Sequence, residues 1–128
     1  SEIKNAIIDT TVVSGHGKTS GETNFTSTDK LYLLAPGEVW TDWKTSSGAP
    51  VDTAKDLTRT LDYYTSIGVT TSSCSGAIKK NGTSASDWWL RAASSYTTDS
   101  FFDVSTGGDW NNDYAGNSYG FAPAFRLG

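Results

Sequence analysis

The last third of the chain begins with Asp87-Trp88-Trp89-Leu90-Arg91 and ends with Gly120-Phe121-Ala122-Pro123-Ala124-Phe125-Arg126-Leu127-Gly128. Both blocks are mainly apolar, and each contains one arginine. The run between them contains no Lys or Arg and is built mainly from Ser, Thr, Gly, Asn, Asp, Tyr and Phe. Because apolar residues favour the interior and polar residues the exterior, the two blocks indicate scaffold and the run between them indicates surface.

The run has the side-chain chemistry of a recognition surface. Tyrosine gives a large and rigid contact area at a small entropic cost, while Ser, Gly and Asn give adaptable hydrogen bonds, and antibody loops use this mixture. The same residue types also mark turns for backbone reasons alone. Composition therefore leaves two interpretations open, a ligand-binding surface and a turn-rich end of a domain.

Length and charge limit the classes of protein to consider. A chain of 128 residues fits one domain, and its formal net charge of −4 with 19% charged residues argues against the basic patch that a phosphate backbone requires. The longest apolar runs, near 31–34 and 121–125, are far shorter than the roughly 20 residues that span a bilayer. We therefore expect a single domain over 1–128, the C-terminal domain of a longer chain, with no nucleic-acid partner and no membrane insertion.

The lone cysteine and the lone histidine give no sign of catalysis. One cysteine, Cys74, forms no internal disulfide and no cysteine-based zinc cluster, and no base lies next to it in sequence. His16 lies in a glycine-flanked turn with no neighbouring ligand residue. The sequence thus predicts a protein that is not an enzyme, without catalytic residues, metal or cofactor.

Short strands and one clear helix predict an α+β domain. Apolar residues at three- and four-residue spacing, with Asp52 or Thr53 as N-cap and Gly68 after the end, predict a helix over about 52–67. Further expectations are a short helix turning into a strand within 1–8, strands at 9–14, 29–34, 88–90, 101–105 and 120–126, and turns at Asn81-Gly82 and Thr106-Gly107-Gly108.

Several large side chains are expected in the scaffold. Trp40 and Trp43 are more typical of a core than of a carbohydrate platform, and Phe25 is expected to anchor the loop 15–28 in the core. Arg91 and Arg126 lie inside apolar blocks, so we expect them to bind carbonyls or carboxylates of the scaffold rather than a ligand.

Six blocks resemble a known family. They are Thr10-Thr11-Val12-Val13-Ser14-Gly15-His16-Gly17, Asp29-Lys30-Leu31-Tyr32-Leu33-Leu34, Leu61-Asp62-Tyr63-Tyr64, Ala77-Ile78-Lys79-Lys80, Trp88-Trp89-Leu90-Arg91-Ala92-Ala93 and Gly120-Phe121-Ala122-Pro123-Ala124-Phe125-Arg126. In this order they resemble bacterial and phage domains of C-type lectin-like fold that serve as variable proteins of diversity-generating retroelements. The resemblance covers nearly the whole chain and is most specific in the last two blocks.

This resemblance implies a hypervariable region at about 91–120. In that family a reverse transcriptase copies a template RNA and randomises adenines, so that Asn-type codons become codons for Tyr, Ser, Asp, Gly, Phe and other residues. It further implies a phage tail adhesin or a bacterial surface or secreted receptor, which binds a protein or another cell-surface ligand. The residues implied to form the variable ligand-binding face are Tyr96, Asp99, Ser100, Asp103, Ser105, Asp109, Asn111, Asn112, Asp113, Tyr114, Asn117 and Tyr119.

Two other functions remain as alternatives. The same fold is shared with formylglycine-generating oxidases, whose copper-binding cysteine pair is lacking because Cys74 stands alone. Calcium-dependent lectins place a Trp-Asn-Asp sequence near a Glu-Pro-Asn or Gln-Pro-Asp type tripeptide. The chain has Trp110-Asn111-Asn112-Asp113 but no such tripeptide, and Ca²⁺ requires six to eight converging oxygens.

Overall fold

The computed structural model describes residues 2–128, which form short helices, short strands and long connecting loops. All ladders between the strands are antiparallel, and the mixture of helix with small sheets confirms the coarse α+β class. In chain order the elements are α1 (Glu2–Ala6), β1 (Ile7–Ile8), β2 (Thr10–Ser14), β3 (Phe25–Asp29), α2 (Pro36–Val39), α3 (Asp62–Ser66), β4 (Lys79–Asn81), β5 (Ser84–Ser86), β6 (Trp88–Ala93), β7 (Ser100–Val104), β8 (Trp110–Tyr114) and β9 (Arg126–Leu127), with 3₁₀ turns at Trp43–Thr45, Ala49–Val51 and Ser75–Ala77.

The two ends of the described chain meet. Strand β1 pairs with β9, and the backbone N–H of Gly128 donates to the carbonyl of Ala6 at 2.9 Å. A second link joins Tyr32 to Ala124 through two reciprocal backbone hydrogen bonds of 3.1 and 2.7 Å. The predicted helix-to-strand transition near the start of the chain is confirmed for residues 2–8; Ser1 lies outside the described residues.

Two predicted local structures are confirmed. The β-branched segment after Asp9 forms β2, which pairs with β3. The Asn81-Gly82 turn connects β4 to β5, and Gly82 has the positive φ, +65°, that this turn chemistry favours.

A three-stranded sheet in the order β6-β7-β8 carries most of the predicted variable region. Side chains alternate between its two faces because successive residues of a strand point in opposite directions. The inner face carries the buried Trp88, Phe102 and Val104, whereas the outer face carries Trp89 and Phe101. The register of β6 against β7 shifts between Trp89 and Ala93, and β8 is an edge strand.

The core under the inner face is aromatic. Trp40, Trp43 and Phe102 are at most 1% exposed, and the Trp43 ring lies 5.5 Å from that of Trp40 and 5.4 Å, edge-on, from that of Phe102. Both tryptophans are therefore core residues, as predicted. Their indole N–H groups are satisfied: Trp40 donates to the carbonyl of Gly108 at 3.3 Å and Trp43 to the carboxylate of Asp52 at 2.8 Å.

Arg91 ties three segments together, which confirms its predicted scaffold role. Its guanidinium donates to the carbonyls of Val13 at 2.8 Å and Leu33 at 2.9 Å, and it forms an ion pair with the carboxylate of Glu38. The same carboxylate accepts the backbone N–H of Ala35 at the start of α2. The side chains of this pair are only 8% and 13% exposed, so the pair is part of the interior.

The predicted helix over 52–67 is wrong, because only α3 within that range is α-helical. Asp52 is buried and its carboxylate accepts the Trp43 indole and the backbone N–H of Ala54, which holds a turn. Thr60 donates its hydroxyl toward the carbonyls of Gly37 and Trp40. These tertiary hydrogen bonds outweigh the helical spacing, although Gly68 does end α3 with a φ of +69° as predicted.

Three further expectations are corrected. Phe25 is 65% exposed and starts β3 instead of anchoring a loop in the core. The predicted buried strand 29–34 begins only as the end of β3, and Leu31 is 57% exposed. The block at 120–126 makes isolated bridges and joins β9 only at Arg126, which is exposed, and it leaves Phe121 74% exposed.

Candidate functional site

One group of predicted variable residues lies at the end of the sheet where β7 begins and β8 ends. Tyr96, in the loop before β7, is 69% exposed, and the ammonium of Lys18 lies 5.7 Å from its ring centroid. Asp99 is exposed, and its carbonyl accepts the backbone N–H of Ala115 at 2.9 Å. Ser100 pairs with Tyr114, which is 57% exposed. This end of the sheet therefore presents two tyrosines, a carboxylate and a hydroxyl.

A second group lies at the opposite end, in the turn from β7 to β8. Ser105 and Asp109 close this turn through a backbone hydrogen bond of 2.9 Å. The carboxylate of the exposed Asp109 also accepts the Cys74 thiol at 3.2 Å. Burial, followed by the Asp109 carboxylate, raises the pKa of the Cys74 thiol. A reactive cysteine needs a lowered pKa, and the shift here has the opposite direction.

The two groups are separated by the length of β7, which is about 13 Å for five residues. The structure thus brings the predicted residues together on one sheet but not into one compact pocket. Asn112 differs from the others, because it pairs with Phe102 on the inner face and is only half-buried.

A hydrogen-bonded cluster crosses the outer face between these two groups. The Tyr119 hydroxyl donates to the Asp113 carboxylate at 2.6 Å, and the Asn117 amide donates to the same carboxylate at 2.8 Å. The Tyr119 ring stacks on Trp89 with centroids 4.8 Å apart. The hydrogen bond from Tyr119 lowers the pKa of Asp113, and the Asp113 carboxylate in turn raises the pKa of the Tyr119 phenol. Asp113, Asn117 and Tyr119, three of the predicted residues, are therefore held together by hydrogen bonds.

The expectation that Asp103 is a surface contact is wrong, because this side chain is 0% exposed. Its cross-strand neighbours on the outer face are Trp89 and Asn111, and neither carboxylate oxygen accepts a hydrogen bond of ordinary geometry. Burial, with a smaller contribution from the charges of Asp113 and Asp87, raises the pKa of Asp103 to about 7, and the Asn111 amide opposes this rise by the smallest of the contributions. Such an orphaned carboxylate is rare in an interior, since buried polar groups are normally paired.

Sequence reasoning missed an apolar hollow on the outer face. This outer hollow, of about 380 Å³, is lined by Leu33, Trp89, Phe101, Ala115 and Phe121 among others. The alternation of Phe101 with the inward Phe102 along β7 carried the signal for one wall. No sequence signal placed Phe121 there, because the block that contains it is predicted as a strand of the scaffold, whereas it makes only isolated bridges before β9.

Among residues 2–128, no group of three or more His, Cys, Asp or Glu side chains is arranged to hold a metal ion. Within the same residues, no helix is long and apolar enough to cross a membrane.

A family model described as "Domain of unknown function (DUF6273)" matches residues 1–128. The chain belongs to the DUF6273 family. No curated protein and no solved structure matches the chain. The description of the DUF6273 domain states no activity.

Proposed function

We propose that this DUF6273 domain is a non-catalytic ligand-binding module with a C-type lectin-like fold, whose surface is diversified by a retroelement. In this proposal the domain acts as a phage tail adhesin or a bacterial surface receptor and binds a protein or another cell-surface ligand. No metal or cofactor takes part in binding.

The observation that carries the proposal is that β7 and β8 combine fully buried apolar side chains with exposed polar and aromatic ones. Phe102 and Val104 are fully buried, whereas Asn111 and Tyr114 on the neighbouring edge strand are exposed. Substitutions at exposed sites usually change stability by less than about 0.5 kcal/mol, whereas buried apolar sites are far less tolerant. A surface that changes its ligand while the fold persists requires this arrangement.

The chemistry of the exposed residues also supports binding. Tyr96 and Tyr114 expose large amphipathic rings, and tyrosine is enriched among the residues that dominate binding energy. Asp99 and Asn111 stand among them as exposed polar groups.

A rigid frame under the loops supports the same function. The Arg91 guanidinium fixes the backbone of β2, the segment before α2 and β6 relative to one another. Binding by pre-organised surfaces costs less conformational entropy, so a fixed frame lets variable side chains alone determine affinity.

A display library tests the proposal. Tyr96, Asp99, Asp109, Asn111 and Tyr114 are randomised together, and the pool is selected against a purified bait protein such as lysozyme. We expect most members to fold, with free energies of unfolding within about 1 kcal/mol of the parent, and some to bind the bait specifically.

A matched library at Phe102, Val104, Trp40, Trp88 and Leu90 serves as control, and we expect most of its members to unfold. If the surface library unfolds as often as the core library, the separation of fold from ligand choice is contradicted. If it folds but yields no specific binder to any bait, the binding function is contradicted.

A further inference from the structure

The outer hollow is an unfilled apolar site beside the proposed variable loops. Its walls include the rings of Trp89, Phe101 and Phe121. Phe121 is 74% exposed and Phe101 is 40% exposed. Covering apolar surface is worth about 25 cal/mol per Å², so two exposed rings around one concavity favour an apolar occupant.

The Asp113 carboxylate lies beside this hollow. Asp113 is the cross-strand partner of Phe101, so the two side chains share the outer face at about 5 Å between Cβ atoms. The Tyr119 hydroxyl and the Asn117 amide hold the Asp113 carboxylate in place. Asp103, two residues further along β7, is fully buried and does not line the hollow.

Among residues 2–128, no ion pair involves the carboxylate beside the hollow. Residues 92–125 contain no Lys or Arg. The ion pairs among residues 2–128 do not include Asp87, Asp103 or Asp113, and the Arg91 guanidinium at the edge of the hollow is engaged by Glu38. The ammonium of Lys79 lies over the ring of Trp88, 5.0 Å from its centroid, and lines a separate hollow with Asp87 and Phe121.

An apolar concavity beside unpaired negative charge fits one kind of partner. We propose that the outer hollow docks a protein segment that inserts a bulky apolar side chain between Phe101 and Phe121 and sets a neighbouring Lys or Arg side chain against Asp113. This inference rests on the proposed ligand-binding function and names the chemical class of the ligand.

The charge of the chain argues against other occupants. A second copy carries the same formal net charge of −4 and brings like charges together, which costs energy at an interface. An anionic lipid surface is repelled by the same carboxylates. A basic segment is instead attracted, because the Asp113 carboxylate beside Phe101 has no counter-ion among residues 2–128.

Defined peptides test this assignment by isotope-edited NMR titration of the intact domain. The test peptide is capped and has a phenylalanine between two arginines; one control replaces both arginines with glutamate and another replaces the phenylalanine with alanine. We expect shifts at the amides of Phe101, Asp113, Ala115 and Phe121 with the test peptide, at least about fivefold weaker binding of either control, and further weakening at about 0.5 M salt.

Two variants locate the site. Phe121→Ser removes one wall and is expected to weaken binding of the test peptide at least about fivefold, since a lost aromatic contact is worth about 1 kcal/mol or more. Leu57→Ser changes an equally exposed apolar residue, 61% exposed, that does not line the hollow, and it is expected to leave binding unchanged.

The inference is overturned if the arginine and glutamate peptides bind equally, if no peptide shifts the amides around the hollow, or if Phe121→Ser leaves the affinity unchanged. Sedimentation that shows self-association through Phe121, or binding of lipid vesicles that depends on it, also overturns it. A surface library that yields binders at Tyr96 and Tyr114 while the peptides fail at the hollow refutes this ligand class and leaves the proposed function standing.

Discussion

Replacement of Asp103 by asparagine is expected to stabilise the domain above neutral pH. The buried carboxylate has a pKa of about 7 in the folded protein, whereas in the unfolded chain it returns to its ordinary value near 4. Between these two values the folded state binds more protons than the unfolded state, so the free energy of unfolding falls as pH rises from about 4 to about 7. Each pKa unit corresponds to about 1.4 kcal/mol, which gives a loss of about 4 kcal/mol at alkaline pH.

Asp103→Asn removes this charge and keeps the shape of the side chain. The asparagine amide is itself buried without a defined partner, so we expect the net gain at about pH 8 to be about 2 to 4 kcal/mol. For a domain of this size that gain raises the melting temperature by about 10 °C. At about pH 4 the wild-type carboxyl is protonated in the folded state and about half protonated in the unfolded chain, so the gain disappears and the variant is expected to be no more stable than wild type.

Thermal and urea unfolding followed by circular dichroism at about pH 4, 6 and 8 measure this difference. Burial also raises the pKa of Asp52, so this residue too makes the free energy of unfolding fall as pH rises. Its contribution is the same in wild type and variant and therefore cancels in their difference. Asp99→Asn, at an exposed carboxylate of the same sheet, is the control and is expected to change stability by less than about 0.5 kcal/mol at every pH. If Asp103→Asn is no more stable than wild type at about pH 8, Asp103 is not an unpaired buried charge.

Two further substitutions test the frame of the domain by chemical denaturation. Arg91→Met leaves the Glu38 carboxylate buried without its counter-ion and is expected to lower the free energy of unfolding by about 3 to 5 kcal/mol. Adding Glu38→Gln to this variant is expected to recover at least about 1 kcal/mol. If the losses of the two single variants simply add in the double variant, the pairing of Arg91 with Glu38 is contradicted. Gly108→Ala is expected to cost at least about 3 kcal/mol, since its Cβ would lie 2.1 Å from the Cys74 carbonyl oxygen at a φ of +88°, whereas Gly82→Ala, with open space around it, is expected to cost about 1 kcal/mol. Equal losses at the two glycines would show that the close approach to Cys74 is absent.

Features that depend on neighbouring residues were predictable from the sequence. The Asn81-Gly82 turn, the Thr106-Gly107-Gly108 turn and the strand at Trp88-Trp89-Leu90 follow from turn chemistry and from the clustering of large apolar side chains. The core positions of Trp40 and Trp43 follow from their size. In each case the local chemistry and the final fold favour the same conformation.

Features that depend on distant residues were not predictable. The spacing of Leu57 and Leu61 favours a helix, but Asp52 binds the indole of Trp43, nine residues away, and Thr60 binds carbonyls twenty or more residues away. The Asp52 carboxylate and the Thr60 hydroxyl therefore form tertiary hydrogen bonds instead of supporting a helix, and Leu57 remains exposed. Propensity is a weak prior when such contacts compete.

The candidate site was predictable only in part, because some of its side chains contact residues that are distant in sequence. Tyr96 and Tyr114 lie at the surface, as the loop-like composition of the run indicates. The burial of Asp103 escapes prediction because Trp89 and Tyr119, which lie on its face of the sheet, come from positions far from it in sequence. A charged residue at a fully buried position also contradicts the general preference of aspartate for the surface.

The most direct test of the proposed function is sequencing of this locus across its natural population, together with a search of the flanking DNA for a reverse transcriptase gene and a near-identical template repeat. We predict that substitutions concentrate at the Tyr, Asp, Asn and Ser positions between Arg91 and Gly120 and coincide with adenines of the template. We also predict that Phe102 and Val104 stay constant, because they fill the core. An invariant segment with no template repeat nearby would contradict the diversified-receptor function and leave the run as a fixed loop surface.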